Sequence, residues 1–208
     1  MKFNLSIAAA LILLLLTGHV SAQLAQGARQ TPTAPKERLG VSGPVKIGNR
    51  SYQLAWTSHP SGNYYKQEYL PQGEDLQHFE HLFSLEALSG KFNVKDVVGA
   101  KIAELNKAKA SNPMVNYQVF EKDGEVLLDF LVSQNSPDGK QVYVVERNIQ
   151  RYVPITDKNG KSAMVLILLN ERAYNNNIAA FLKKMKASGD ESRNALAAYP
   201  LPAITLSE

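Results

Sequence analysis

The sequence predicts an α+β fold: an antiparallel sheet with a C-terminal four-strand meander and two or three helices packed on it. The meander is predicted from residues 115–171, where four runs rich in Val, Ile, Leu, Tyr and Phe are separated by turn sequences such as Asp123-Gly124. Such runs suit pleated strands, and Asp-Gly favours a tight hairpin turn. Strands and helical segments also occur in groups rather than in strict alternation, which is typical of α+β proteins.

The N-terminus has the pattern of a secretory signal peptide. Lys2 precedes the apolar run Ile7–Leu16, and Val20-Ser21-Ala22 fits a small-residue cleavage site. We therefore expect residues 1–22 to be removed after Ala22 and the protein to be periplasmic or secreted, without stable membrane insertion after cleavage. Residues 23–43 are polar and contain prolines, which predicts a flexible leader before the domain.

Composition excludes several classes of protein. The chain contains no cysteine, so neither disulfides nor acylation at a cysteine can occur. Its formal net charge of +4 across 208 residues is too small to indicate nucleic-acid binding. The length suits one domain, which we place at residues 44–190, followed by an extended C-terminal tail at 191–208 because Pro200 and Pro202 disfavour helix there.

The first half of the domain is predicted to hold three strands and two helices. Short strands are expected at Val45–Ile47, Tyr52–Thr57 and Asn63–Leu70. The first helix is expected to begin at Glu74 and Asp75, with an apolar stripe of Leu76, Phe79, Leu82 and Phe83, although its end, Phe83–Leu88, also suits a strand. The second helix follows Asn93, a suitable N-cap, and ends before Pro113.

The second half is predicted to hold the meander and a last helix. The strand Ala163–Leu169 is apolar at every position, so we expect it to be central and covered on both faces. The last helix is expected from about Asn176 to Ser188, with Gly189 as its C-cap.

Three histidines offer a hypothetical divalent-metal site. If residues 74–83 form a helix, Glu74, His78 and His81 share one face, and His59 could reach them from the preceding loop. The spacing departs from H-E-x-x-H, and a solvated helix face explains the same residues. No cofactor is expected otherwise.

A second candidate site lies on the predicted sheet. If Gln134 pairs with Lys140, Asp129 lies opposite Val145, diagonal to Arg147, with Arg151 further along the same face. Gln118 is expected opposite Asp129 on the other neighbouring strand. These charges could bind a small polar or anionic ligand, or simply form ion pairs.

Common catalytic motifs are missing. Gly160-Lys161-Ser162 lacks the first glycine of a P-loop, since Ile155 stands in its place, and no serine lies in G-x-S-x-G. These absences favour a non-catalytic protein.

One segment carries a resemblance to a known group of proteins. The sequence Glu68-Tyr69-Leu70-Pro71-Gln72-Gly73-Glu74, followed by Phe79 and Phe83-Ser84-Leu85, resembles small uncharacterised bacterial secreted proteins. Their pattern is a strand ending in E-aromatic-x-P-x-G-E, a short helix and another strand. The resemblance implies export from a Gram-negative cell and transfers no activity.

Together these observations predict an exported binding or accessory protein of the bacterial envelope, whose ligand or protein partner the sequence does not identify. The alternatives are a metal-dependent hydrolase that uses the His/Glu cluster, and a structural envelope-associated protein.

Overall fold

A computed structural model describes residues 35–206. The predicted signal peptide and most of the predicted leader lie outside the described residues, as do residues 207 and 208. Within residues 35–206, 45% of positions are in strands and 23% in helices. None of the helices in this part of the chain is both long enough and apolar enough to cross a membrane.

The described chain forms eight strands, a 3₁₀ turn and two α-helices. The strands are β1 (Val45–Ile47), β2 (Arg50–Ser61), β3 (Tyr64–Leu70), β4 (His81–Ser89), β5 (Asn116–Lys122), β6 (Glu125–Asn135), β7 (Val142–Thr156) and β8 (Ser162–Tyr174). Helix α1 (Val94–Lys109) lies between β4 and β5, and helix α2 (Ile178–Ala198) follows β8 after the 3₁₀ turn Asn175–Asn177.

All eight strands belong to one antiparallel sheet in the order β1-β2-β3-β4-β8-β7-β6-β5, curled into a half-barrel. The predicted α+β fold class is therefore wrong, because the protein is mostly sheet. The four C-terminal strands do not form a sheet of their own, since β8 pairs with β4 on one side and β7 on the other. The pairing of β4 with β8 joins segments that are distant in the sequence, and no hairpin turn between them predicts it.

Strand β8 lies at the centre of the sheet with both faces covered, which confirms the prediction from its apolar sequence. Met164, Leu166 and Leu168 pack with α1 on one face. The alternate residues Val165, Ile167 and Leu169 pack into the core on the other face. Side chains of a strand alternate between faces, so a strand covered on both sides must be apolar throughout.

The two ends of the described chain pack on the face of the sheet that α2 covers. Leu39 and Leu196 are fully buried there, together with Ile204. The Gln67 side chain accepts hydrogen bonds from the backbone N–H groups of Arg38 and Leu39 at 2.6 and 3.0 Å. Residues 35–43, the end of the predicted flexible leader, are thus docked on the sheet.

Residues 74–80 form a loop, and the helix predicted there is not found. Asp75 accepts hydrogen bonds from the backbone of Gln77 and His78, but Glu74 accepts from Glu80 and His81, six and seven residues away. This spacing folds the segment back on itself and leads into β4. The strand that was the alternative at the end of this segment, Phe83–Leu88, is correct, although it starts earlier, at His81.

Helix α1 agrees with its prediction, including Asn93 as the N-cap, whose side chain accepts from the Lys95 N–H. Helix α2 is longer than predicted. It bends at Ser188, where φ is −140° and ψ is 20°, and continues to Ala198. Part of the predicted extended tail is therefore helical, and only the residues after Ala198 are extended.

Candidate functional site

A groove of about 500 Å³ lies between the sheet and the bent helix α2. One wall is the β1–β2 turn from Ile47 to Arg50, and the other wall is α2 on both sides of its bend at Ser188. The starts and ends of neighbouring strands form the floor. This volume is in the range of pockets that bind small molecules.

Three polar residues form a row across the floor of the groove. His81 of β4 pairs with Glu171 of β8, and Glu171 pairs with Arg147 of β7. Directly paired residues of antiparallel strands project their side chains to the same face. All three line the groove, and Ser192 of α2 donates a hydrogen bond to Glu171 at 2.7 Å.

Arg147 is buried and held by two carboxylates. Its Nε and Nη2 atoms donate to the two oxygens of Asp129 at 2.9 and 2.6 Å, and Nη1 donates to Glu171 at 3.3 Å. Arg193 approaches Asp129 from α2 at 3.5 Å. Burial lowers the pKa of Arg147, but its bonds to Asp129 and Glu171 outweigh burial and raise it overall. The guanidinium is therefore a fixed, neutralised charge.

The predicted contact between Asp129 and Arg147 is confirmed, through a different register. Asp129 lies opposite Ile149 rather than Val145, and both positions are diagonal to Arg147. The predicted pairing of Gln118 with Asp129 is also confirmed.

Arg151 lies outside this cluster. It bonds Glu125 at 2.6 and 3.1 Å and donates to the Tyr199 carbonyl oxygen at 2.6 Å. Of the three residues predicted to bind a ligand, the structure brings together Asp129 and Arg147 only. Whether these two contact a ligand stays a prediction.

His81 is the one predicted metal ligand that lines the groove. Its Nδ1 atom lies 3.4 Å from a Glu74 carboxylate oxygen. Burial and the nearby Arg50 lower the pKa of His81 below its usual 6.5, and Glu74 opposes this shift. The imidazole is therefore neutral at neutral pH.

The four predicted metal ligands do not converge. His59 stacks on Tyr65 near the β2–β3 turn, where Tyr64 pairs with Leu88. Leu88 is seven positions from His81 along β4, or roughly 23 Å. The exposed His78 lies beside Tyr174 instead. Across residues 35–206, no group of three His, Cys, Asp or Glu side chains is placed to hold a metal.

Arg50, which no sequence motif indicates, lines the groove on the β1–β2 side. It is half-buried and acts electrostatically on His81 and Tyr52. Within the described chain, no hydrogen bond or ion pair engages its guanidinium. Its only local signal is its place directly after the Gly48-Asn49 turn, and its closeness to His81 depends on how the sheet curls.

The other groove charges that have no partner within residues 35–206 lie at the rim. Lys184 and Glu191 of α2 and Glu80 before β4 line the groove but are exposed. Water can solvate these three groups, whereas it reaches the half-buried Arg50 less freely.

A model of an uncharacterised protein family matches residues 39–201. The match starts at the buried Leu39 and spans the whole sheet and both helices. No curated protein matches the chain.

Proposed function

We propose that this chain, which belongs to the uncharacterised family matched over residues 39–201, is a binding protein that takes a small anionic ligand in the groove under α2. The observation that carries the proposal is the unpaired charge of Arg50. It is the half-buried charge of the groove for which the described residues supply no partner, while Arg147 and Arg172 are both held by carboxylates.

A carboxylate or phosphate suits this position on physical grounds. The planar guanidinium offers parallel N–H donors that fit two oxygens of an anion. A half-buried cation is incompletely hydrated, so an anion recovers part of the solvation energy that folding removed. Lys184 on the opposite rim is a second cation, but the exposed carboxylates of Glu80 and Glu191 offset it, so the attraction for an anion rests on Arg50.

The same proposal places the protein in the envelope. Its support is the N-terminal pattern of Lys2, an apolar run and Val20-Ser21-Ala22. A protein exported to the periplasm or medium meets dilute small solutes, for which a groove with an anchoring cation is suited. Expression in a Gram-negative host should yield a periplasmic product whose intact mass corresponds to a start at Gln23. A product that retains residues 1–22 would contradict this part of the proposal.

Ligand binding is tested by isothermal titration with a panel of hydrophilic and amphiphilic anions: phosphate, sulfate, acetate, succinate, benzoate and octanoate. We expect at least one to bind, and the variant Arg50→Gln to weaken that binding at least tenfold. Lys183→Gln is the matched control, because Lys183 is an exposed cation on α2 outside the groove lining.

Two outcomes would overturn the proposal. One is that no anion of the panel binds to the wild-type protein. The other is that Arg50→Gln and Lys183→Gln bind the same anion with the affinity of the wild type, which would remove Arg50 from the site.

A further inference from the structure

Beside Arg50, part of the groove lining is apolar. Ile47 comes from β1 and Leu169 from the floor, while Phe181 and Met185 come from α2. Phe181 and Met185 are half-buried rather than enclosed in the core. The groove therefore presents an unpaired cation at one place and hydrocarbon surface beside it.

We infer that the ligand of the groove is an amphiphilic carboxylate, with its head group on Arg50 beside His81 and its hydrocarbon body between the sheet and α2. This inference rests on the proposed function and specifies its ligand. A purely hydrophilic anion would leave the apolar wall in contact with water, whereas a hydrocarbon body would cover it.

The charges of the groove favour a single negative charge on the ligand. Arg147 on the floor is neutralised by Asp129 and Glu171, and Glu171 is also bonded by Ser192. Arg50 is thus the half-buried cation available for one anion, while Lys184 is exposed at the rim. The exposed carboxylates of Glu80 and Glu191 border the groove and oppose a dianion more strongly than a monoanion. A phosphate monoester carries between about −1.5 and −2 charges at neutral pH, so a carboxylate fits better.

The hydrocarbon contacts are concentrated on one face of α2. Phe181 and Met185 are four residues apart and therefore neighbours on the helix surface. Phe181 also packs with Ile178 and Val145 in the cluster at the start of the helix. Met185 has a flexible thioether side chain that adapts to ligands of different shape. These features suit a flexible alkyl or aromatic body.

The test is a titration series of straight-chain carboxylates from acetate to decanoate, kept below micelle formation. If the body is buried, the dissociation constant should fall about fourfold per added methylene until the groove is filled. Alcohols of equal length should bind at least tenfold more weakly, because they lack the charge for Arg50. Alkyl trimethylammonium ions serve as the control for non-specific detergent binding and should not bind.

Variants locate the hydrocarbon body. Ala180→Trp adds bulk to the groove wall, and Ala179→Trp adds the same bulk at an exposed neighbour outside the lining. We expect Ala180→Trp to weaken octanoate binding at least tenfold and Ala179→Trp to leave it unchanged. Met185→Gln keeps a similar volume, and it should flatten the dependence on chain length.

The outcomes separate this inference from the proposed function. If anions bind through Arg50 but the affinity of the carboxylates does not depend on chain length, the inference fails and the anion-binding function stands. If alkyl phosphates bind more tightly than carboxylates of equal length, the head group is wrong. If alkyl chains bind equally well in Arg50→Gln, the anchoring role of Arg50 fails. Absence of binding in the whole carboxylate series overturns the inference, and it overturns the proposed function as well only if no anion of the first panel binds.

Discussion

At the scale of single residues, the charges under α2 are organised around Arg147. A buried guanidinium is costly to desolvate, and Asp129 and Glu171 offset that cost through short hydrogen bonds. Ser192 and Arg193 extend the network from the sheet to α2. The network therefore fixes the bent helix over the groove floor and does not itself offer a free charge.

Removing Asp129 should destabilise the protein strongly. Asp129→Ala removes the carboxylate nearest to the buried Arg147, and breaking a buried pair costs roughly 3–5 kcal/mol. Glu121→Ala is the matched control, since it breaks an exposed pair with Lys95, worth about 0–1 kcal/mol. Urea denaturation measures both. Equal losses in the two variants would show that Asp129 does not balance the Arg147 charge.

The neutral state of His81 predicts how stability depends on pH. Its pKa is lowered in the folded protein from 6.5, so on acidification the unfolded chain takes up this proton first. His81 therefore contributes stability above pH 6.5 that is lost as the pH falls through its lowered folded pKa.

Denaturation at about pH 7.5 and about pH 5.5 compares stability above and below the unfolded pKa of histidine. The stability lost between the two should be smaller in His81→Gln than in the wild type. His78→Gln, which replaces an exposed histidine outside the groove, is the control and should lose as much as the wild type. An unchanged loss in His81→Gln would contradict the prediction.

The affinity for the anion should depend on pH in the opposite direction to stability. A protonated His81 attracts the ligand, so the affinity should rise as the pH falls.

At the scale of elements, helix α2 shows why local signals misplace an end. Ser188 and Gly189 are poor helix formers, and glycine after an apolar stripe is a common C-cap. In the structure the chain bends there and continues, because Leu196 is fully buried in the core. Tertiary packing of the second half outweighs the local preference to stop.

Leu196→Ala should therefore destabilise the protein by about 2–5 kcal/mol, the usual cost of truncating a buried leucine. Leu76→Ala is a suitable comparison, because Leu76 is 37% exposed and its loss leaves no cavity. Thermal unfolding followed by circular dichroism measures both. If Leu196→Ala unfolds at the wild-type temperature, the second half of α2 does not contribute to the core.

The loop at residues 74–80 was mispredicted for a related reason. Its residues have helical spacing of apolar side chains, and acids at a helix start are favourable. The same acids can instead bind backbone N–H groups in a loop, as Glu74 does with Glu80 and His81. Phe79 is buried in either arrangement, so its apolar character does not distinguish them.

At the scale of the whole molecule, what could be predicted depended on local pairing. The Asp129–Arg147 contact was predicted correctly although the register was wrong. The predicted and observed registers differ by an even number of residues, which keeps side chains on the same face. The pairing of β4 with β8 could not be predicted, since no turn connects them. Because that pairing places His81 beside Glu171, and the curl of the sheet adds Arg50, the groove was beyond local sequence reasoning.

The N-terminal boundary of the domain gives the last prediction. Gln67 is fully buried, and its partners include the backbone of Arg38, Leu39 and Val41. A chain that starts at residue 43 lacks these partners and the buried Leu39. An unsatisfied buried polar group costs about 1–3 kcal/mol, to which the lost burial of Leu39 adds. We therefore expect a clearly lower unfolding midpoint than for a chain that starts at residue 35.

A second substitution separates the two causes. Gln67→Leu removes the amide oxygen that truncation leaves without the Arg38 and Leu39 donors, so it should recover part of the stability of the chain that starts at residue 43. In the chain that starts at residue 35 the same substitution should destabilise, because the backbone of Arg38 and Leu39 loses its acceptor. If both chains unfold at the same midpoint, residues 35–42 are not part of the folded domain, and the boundary lies where the sequence alone placed it.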